Sequence, residues 1–181
     1  MKPDSFETYS RPAILLHWLI AILIIGMLAL GWYMGSLEKG PTRDWYYNLH
    51  KSIGTVTLLL VALRIAWRIG HRPPELIATM PMWQRTAAHA VHHLLYLAMT
   101  VMTLTGFLAS IFGRGIVFFG LPLPRLVPEN RPLGHLLNEV HEFTAWALAV
   151  LVGLHVIAAL YHQFVLKDRL LMRMLPGGSR N

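Results

Sequence analysis

The chain contains no cysteine, which excludes disulfides, iron–sulfur clusters and thioether-attached haem, because each needs thiols. Charge is scarce as well. Only 14% of the 181 residues are Asp, Glu, Lys or Arg, against 55% that are apolar. So few charges among long apolar runs indicate an integral membrane protein. Acid is the scarcer sign: nine Asp and Glu against 16 Lys and Arg leave a formal charge of +7. The basic residues sit at the ends of apolar segments rather than in one soluble patch, so they read as topology signals and not as a nucleic-acid surface. A Gly-rich phosphate loop, a Ser-His-Asp order and a carboxylate pair are also missing, which leaves nothing pointing to hydrolysis. No repeat of fixed period and no low-complexity tract interrupts the chain.

What is present is a set of apolar runs. Ser10 and Pro12 mark a helix start, and residues 13–33 carry no formal charge, a length that spans about 30 Å of hydrocarbon. That run is longer than a signal-peptide core and no A-x-A-like cleavage site follows, so it reads as a retained first span. Residues 35–51 are polar, with Thr42 or Asp44 as a cap for the next helix. The second span is 52–69, with Arg64 and Arg68 near its end, where long side chains can snorkel to the interface. Pro73, Pro74 and Pro81 make the following segment a loop. A third helix starts near Trp83 and spans over 91–112. Residues 113–131 form the longest connection, with room for a short interfacial segment around Phe118 and Phe119, and 143–166 is the fourth span. The expected architecture is an all-α integral membrane four-helix bundle in a single domain, 1–181. Ten basic residues, from Lys2 and Arg11 through Arg64, Arg68, Arg72, Arg85, Lys167, Arg169 and Arg173 to Arg180, fall on the side of the termini. Six fall on the other side: Lys39, Arg43, Lys51, Arg114, Arg125 and Arg131. This bias puts both termini in the cytoplasm.

Histidine is the residue type that this background makes informative, because ionisable side chains inside a membrane are costly and mark function by default. His141 and His155 are fourteen residues apart on the fourth span. Fourteen helical steps return to within about 40° of one face and rise about 21 Å. Leu148 lies midway on the same face, and His162 continues the stripe. Depth then sorts four histidines into two pairs: His17 with His155 toward the termini, and His50 with His141 toward the other side. Neutral imidazole is a suitable axial ligand for haem iron, so the pairs read as two bis-histidine sites holding two b-type haems between the helices. Anchoring of helix ends by interfacial histidines is the competing reading of each one alone. Fourteen residues on from His17 is Gly31, which leaves room for a macrocycle edge or serves helix packing as a small residue. Fourteen on from His50 is Arg64, able to pair with a haem propionate. Gly54 and Gly153 suit either clearance or helix packing. His89, His92 and His93 form HAVHH at the start of the third helix. Their spacing suits a divalent metal, but no further ligand source is evident; a polar rim for a quinone carbonyl, His89 and His92 together with His162, is the more useful reading.

The runs ILLHW, NLHKSIG, RIAWR, EVHE…GLH and KDRLLMRMLP, in this order and at these depths, resemble the bacterial cytochrome b561 family over nearly the whole chain. The resemblance implies a four-helix bundle of the inner membrane with two b-type haems and quinone as electron partner. Its ligand positions fall on His17, His50, His141 and His155. Short stand-alone members include a superoxide oxidase, which takes electrons from superoxide on the periplasmic side and reduces ubiquinone; AHAVHH, His162 and GRGIVFFGL also resemble that type. On this reading the chain is a superoxide:ubiquinone oxidoreductase. The outer basic residues would steer the anion, Arg114 first among them. Longer relatives are the cytochrome b subunits of hydrogenases and formate dehydrogenases. The second reading is therefore an electron-transfer subunit anchoring a hydrogenase or dehydrogenase as redox partner protein, although the chain lacks their extra length. Which haem the quinone meets is left open by the sequence.

Overall fold

Pro12 presets the backbone for a first helical turn, and α1 runs Arg11–Ser36 in a computed structural model that describes residues 8–76, 80–125, 127–175 and 177. Lys2 and Arg180 of the basic-residue count lie outside the described residues. Ser10 holds the N-cap position without capping; its hydroxyl instead accepts a hydrogen bond from Trp67 Nε1 at 3.2 Å, tying the start of α1 to the next helix. That next helix, α2, covers Pro41–Gly70. It starts a turn or more before its apolar part, again at a proline, so Gly40 takes the N-cap position and neither Thr42 nor Asp44 caps. His50 consequently lies well inside a helix. Helix α3 is Met82–Phe112 and α4 is Arg131–Tyr161, the latter capped by Asn130, whose side chain accepts from the Leu133 N–H at 3.1 Å.

All four helices are long and apolar enough to cross a membrane. Large apolar side chains such as Leu15, Ile22, Leu59, Phe143 and Val150 point outward, the exposure expected where lipid replaces water as solvent. Inside, Ile20, Ile24 and Leu28 of α1 meet Val61 of α2, Ala98 and Met102 of α3, and Leu148 of α4. Leu148 is wholly buried. Helix α1 packs along α2, α2 along α3 and α3 along α4, whereas neither α1 nor α2 runs in close backbone contact along α4. Side chains therefore fill the space that separates α4 from the first two helices.

Between α3 and α4 the chain makes a small hairpin, β1 (Val117–Phe118) against β2 (Leu121–Pro122), turning through Phe119 and Gly120, both at positive φ. This matches the two-residue loops that favour left-handed residues. A phenylalanine at φ 46° is strained, and the strain is held by α2. The fully buried Ser52 accepts from the Phe119 N–H at 2.9 Å and directs its own O–H toward the Asn48 and Val117 carbonyls. The hairpin closes one end of the bundle.

A tail closes the opposite, terminal end. After Tyr161 the helix widens into a π-helical turn, His162–Leu166, and Lys167 and Arg169 adopt left-handed backbone before a 3-10 turn over Leu170–Met174. His162 Nδ1 pairs with the Asp168 carboxylate. The Tyr9 N–H donates to the Arg173 carbonyl at 3.2 Å, the Trp18 indole N–H to the Met174 carbonyl at 2.6 Å, and the Arg173 guanidinium to the Glu75 carbonyl. The tail thus straps the starts of α1 and of the α2–α3 loop.

Candidate functional site

Helix α4 presents His141 and His155 to the first two helices from opposite ends of the bundle. The structure brings His50 of α2 to His141, with ring centroids 6.1 Å apart and planes at 90°. It brings His17 of α1 to His155, again at 6.1 Å, with planes at 74°. An imidazole nitrogen lies about 2.0 Å from a first-row metal ion and about 1.1 Å from its ring centre, so opposed rings sharing one ion stand about 6.2 Å apart. Both pairs have that spacing. Each pair has the spacing that would suit one iron shared by its two imidazoles, and Leu148 fills the layer between the pairs.

At the hairpin end, the ring of His141 is set by α3. Its Nδ1–H donates to the Met102 carbonyl at 2.7 Å, which leaves Nε2 for a ligand, the usual outer-shell arrangement of a metal-binding histidine. Gly106, one turn further along α3, makes the approach possible: a Cβ there would lie 2.7 Å from His141 Nδ1. Nδ1 of His50 is buried without a hydrogen-bond partner among the described residues. Gly31 stands against His50, 3.5 Å from Cε1 where its Cβ would be. Gly54 packs on Met27, and Gly153 faces open space. Lys51, next to His50, reaches the Gly115 carbonyl at 3.4 Å. Arg114 is exposed beside the hairpin, close enough for its charge to act on Lys51. Outside the spanning helices, the Arg131 hydrogen bond and charge hold the Glu129 carboxyl below the usual carboxylate range, and Arg125 also reaches Glu129 at 3.5 Å.

At the terminal end, Arg64 of α2 donates to the Ala13 carbonyl at 3.0 Å, comes within 3.4 Å of His17 Nδ1, and lies over the Tyr96 ring. It is therefore a cation at the edge of this pair. Trp18 stands edge-on to His17 at 5.4 Å. A third histidine joins the pair: His92 is 5.5 Å from His155. His89 and His92 line a crevice of about 330 Å³ between α2 and α3, together with Ile65, Arg68, Tyr96 and Thr100. His162 is not among its lining residues, being engaged by Asp168 in the strap. No group of three His, Asp or Glu side chains suited to a metal ion gathers among the described residues, so HAVHH gains no chelating partner. His93 bonds instead to the His89 carbonyl at 2.7 Å.

Gly106, the Met102 carbonyl, Tyr96 and Trp18 escape a reading based on histidine depth. All of them except Trp18 lie on α3, which supplies neither member of the two pairs, so no periodic signal connects it to them.

Comparison with known proteins agrees with this arrangement. The family described as prokaryotic cytochrome b561 matches residues 8–177. "Cytochrome b561 homolog 2" of Escherichia coli K12 is 34% identical over 96% of the chain and 94% of its own length. "Probable superoxide oxidase CybB" of Yersinia pestis is 31% identical over 94% of the chain and 97% of its own length. "Cytochrome b562" of Cereibacter sphaeroides is 31% identical over 92% of the chain and 94% of its own length. A bacterial inner-membrane bundle with paired imidazoles spaced for b-type haem and suited to membrane electron transfer, the chain belongs to the prokaryotic cytochrome b561 family.

Proposed function

We propose that the protein is a di-haem b cytochrome that moves electrons from superoxide in the periplasm to ubiquinone in the membrane, with both termini cytoplasmic. The observation that carries the two-site reading is the repeated 6.1 Å spacing of His50 with His141 and of His17 with His155 at opposite ends of one bundle. Superoxide as donor is supported by the likeness to the probable superoxide oxidase of Yersinia pestis and by the cationic hairpin end.

The haems, when bound, supply a one-electron relay across the bilayer. The chain's own residues do the rest. His50 and His141 hold the periplasmic site, with Met102 and Gly106 fixing the ring of His141. His17 and His155 hold the cytoplasmic site, where Arg64 offers a cation to a propionate. Arg114 and Lys51 attract an anion to the periplasmic face, an effect that salt screens. His89 and His92 offer ring nitrogens to a quinone carbonyl in the crevice beside His155; His162, held by Asp168, is placed to support the strap beside it. Each superoxide gives one electron and leaves as dioxygen, so two superoxide and two protons convert one quinone to quinol.

The test is stopped-flow mixing of purified haem-loaded protein with superoxide and a water-soluble ubiquinone. Superoxide loss should be matched by quinol formation at half its amount, and His50→Ala and His141→Ala should each abolish both. Unchanged superoxide consumption in variants that have lost haem would sink the route. Purification with a stoichiometric soluble partner, and no activity alone, would replace it with the anchoring-subunit reading.

A further inference from the structure

A second, larger cavity of about 820 Å³ opens at the terminal end, between the start of α1, the end of α2 and residues 70–74 of the following loop. Three arginines line it: Arg64, Arg68 and Arg72. Among the described residues, no acidic side chain does. Arg64 is spoken for by the Ala13 carbonyl, His17 and Tyr96. Arg68 and Arg72 have no carboxylate or hydrogen-bond partner among the described residues. The rest of the lining is amphiphilic: the hydroxyls of Thr8 and Ser10 and the rings of Tyr9 and Trp67 stand beside apolar Leu16, Pro73 and Pro74. Uncompensated guanidiniums in a cavity call for an anion, and the apolar side of the wall calls for an anion with a hydrocarbon part. The location supplies one, because this is where a membrane-spanning helix meets the headgroup layer, and basic pockets between helices on that side take acidic headgroups.

We infer that this cavity binds the phosphate of an anionic phospholipid, through Arg68 and Arg72, with the glycerol and first acyl carbons against Leu16 and the prolines. Its occupant differs from the quinone of the neighbouring crevice, but Arg68 and Tyr96 line both cavities. A lipid held by Arg68 would therefore fix a cation that lines the crevice together with His92.

The haem-loaded full chain, delipidated in detergent, is titrated with phosphatidylglycerol or with phosphatidylcholine and weighed by native mass spectrometry. Wild type should retain one phosphatidylglycerol and discriminate against phosphatidylcholine. The Arg68→Gln/Arg72→Gln variant should bind it about tenfold or more weakly, while Arg125→Gln/Arg131→Gln at the hairpin end should bind it as wild type does. Equal retention by the Arg68/Arg72 variant overturns the assignment. Competition by inorganic phosphate at the affinity of the lipid overturns the lipid as source. Haem loss or a changed haem spectrum in the Arg68/Arg72 variant, with lipid retention unaltered, gives the cavity to haem propionates instead. Retained haem with lost lipid supports the assignment, and shows at once that the variant has folded.

Discussion

One missing methyl group decides whether His141 can stand where it does. Gly106→Ala would bring a Cβ to 2.7 Å from its Nδ1, a contact that backbone on two packed helices cannot relieve. If each pair holds a haem as proposed, the variant should lose the one at the hairpin end and keep the other, so that a pyridine haemochrome assay returns about half the wild-type haem, as expected for a close-packed site. Full haem content in Gly106→Ala would show that the ring has another resting place. At this scale the sequence is only partly legible. His17, His50, His141 and His155 stand out because imidazole is costly in lipid, and the ring distances join the same histidines that depth joins. Gly106 and the Met102 carbonyl do not stand out. A glycine in an apolar helix has many uses, and a backbone carbonyl has no letter of its own.

Helices carry the periodicity, so fold class and span order are legible where apolar runs are long. The ends are less so. α2 begins at Pro41, with Gly40 rather than Thr42 or Asp44 at its cap, because a proline presets the first turn. The hairpin was hidden by glycines and prolines that signal only a loop, and its anchor, Ser52, sits in a different element. Ser52→Ala would leave the Phe119 N–H without its acceptor, costing about 1–3 kcal/mol locally. Limited proteolysis should cut between residues 113 and 125 faster in that variant, and an unchanged cleavage rate would contradict the anchoring role. Register along α4 offers a sharper test. One alanine inserted after Ala149 turns His155 by about 100° relative to His141. If each pair holds a haem as proposed, no more than one low-spin haem per chain should then remain in the EPR spectrum.

Across the whole molecule the two ends are chemically distinct: a docked hairpin with Arg114 and Lys51 at one, and at the other the strap and a cavity lined by Arg64, Arg68 and Arg72. If the hairpin end receives an anion, Arg114→Gln should slow superoxide consumption several-fold at low ionic strength and little at high ionic strength, since the Debye length falls from about 30 Å at 0.01 M to about 8 Å at 0.15 M. A salt profile that keeps the slope of wild type would remove Arg114 from that role. The terminal end is recognisable in the sequence as a cluster of basic residues, but its two cavities are not. They arise from the way α1, α2 and α3 converge, which no single segment encodes.

Helix α4 has a part in each paired site, and it is the last of the four helices to be synthesised. Neither site exists while the ribosome is still making the first three. If each pair holds a haem as proposed, haem cannot be taken up segment by segment as the chain enters the membrane. A three-helix chain would wait with His17 and His50 unpaired, and both paired sites would form in the same step, when α4 closes against them.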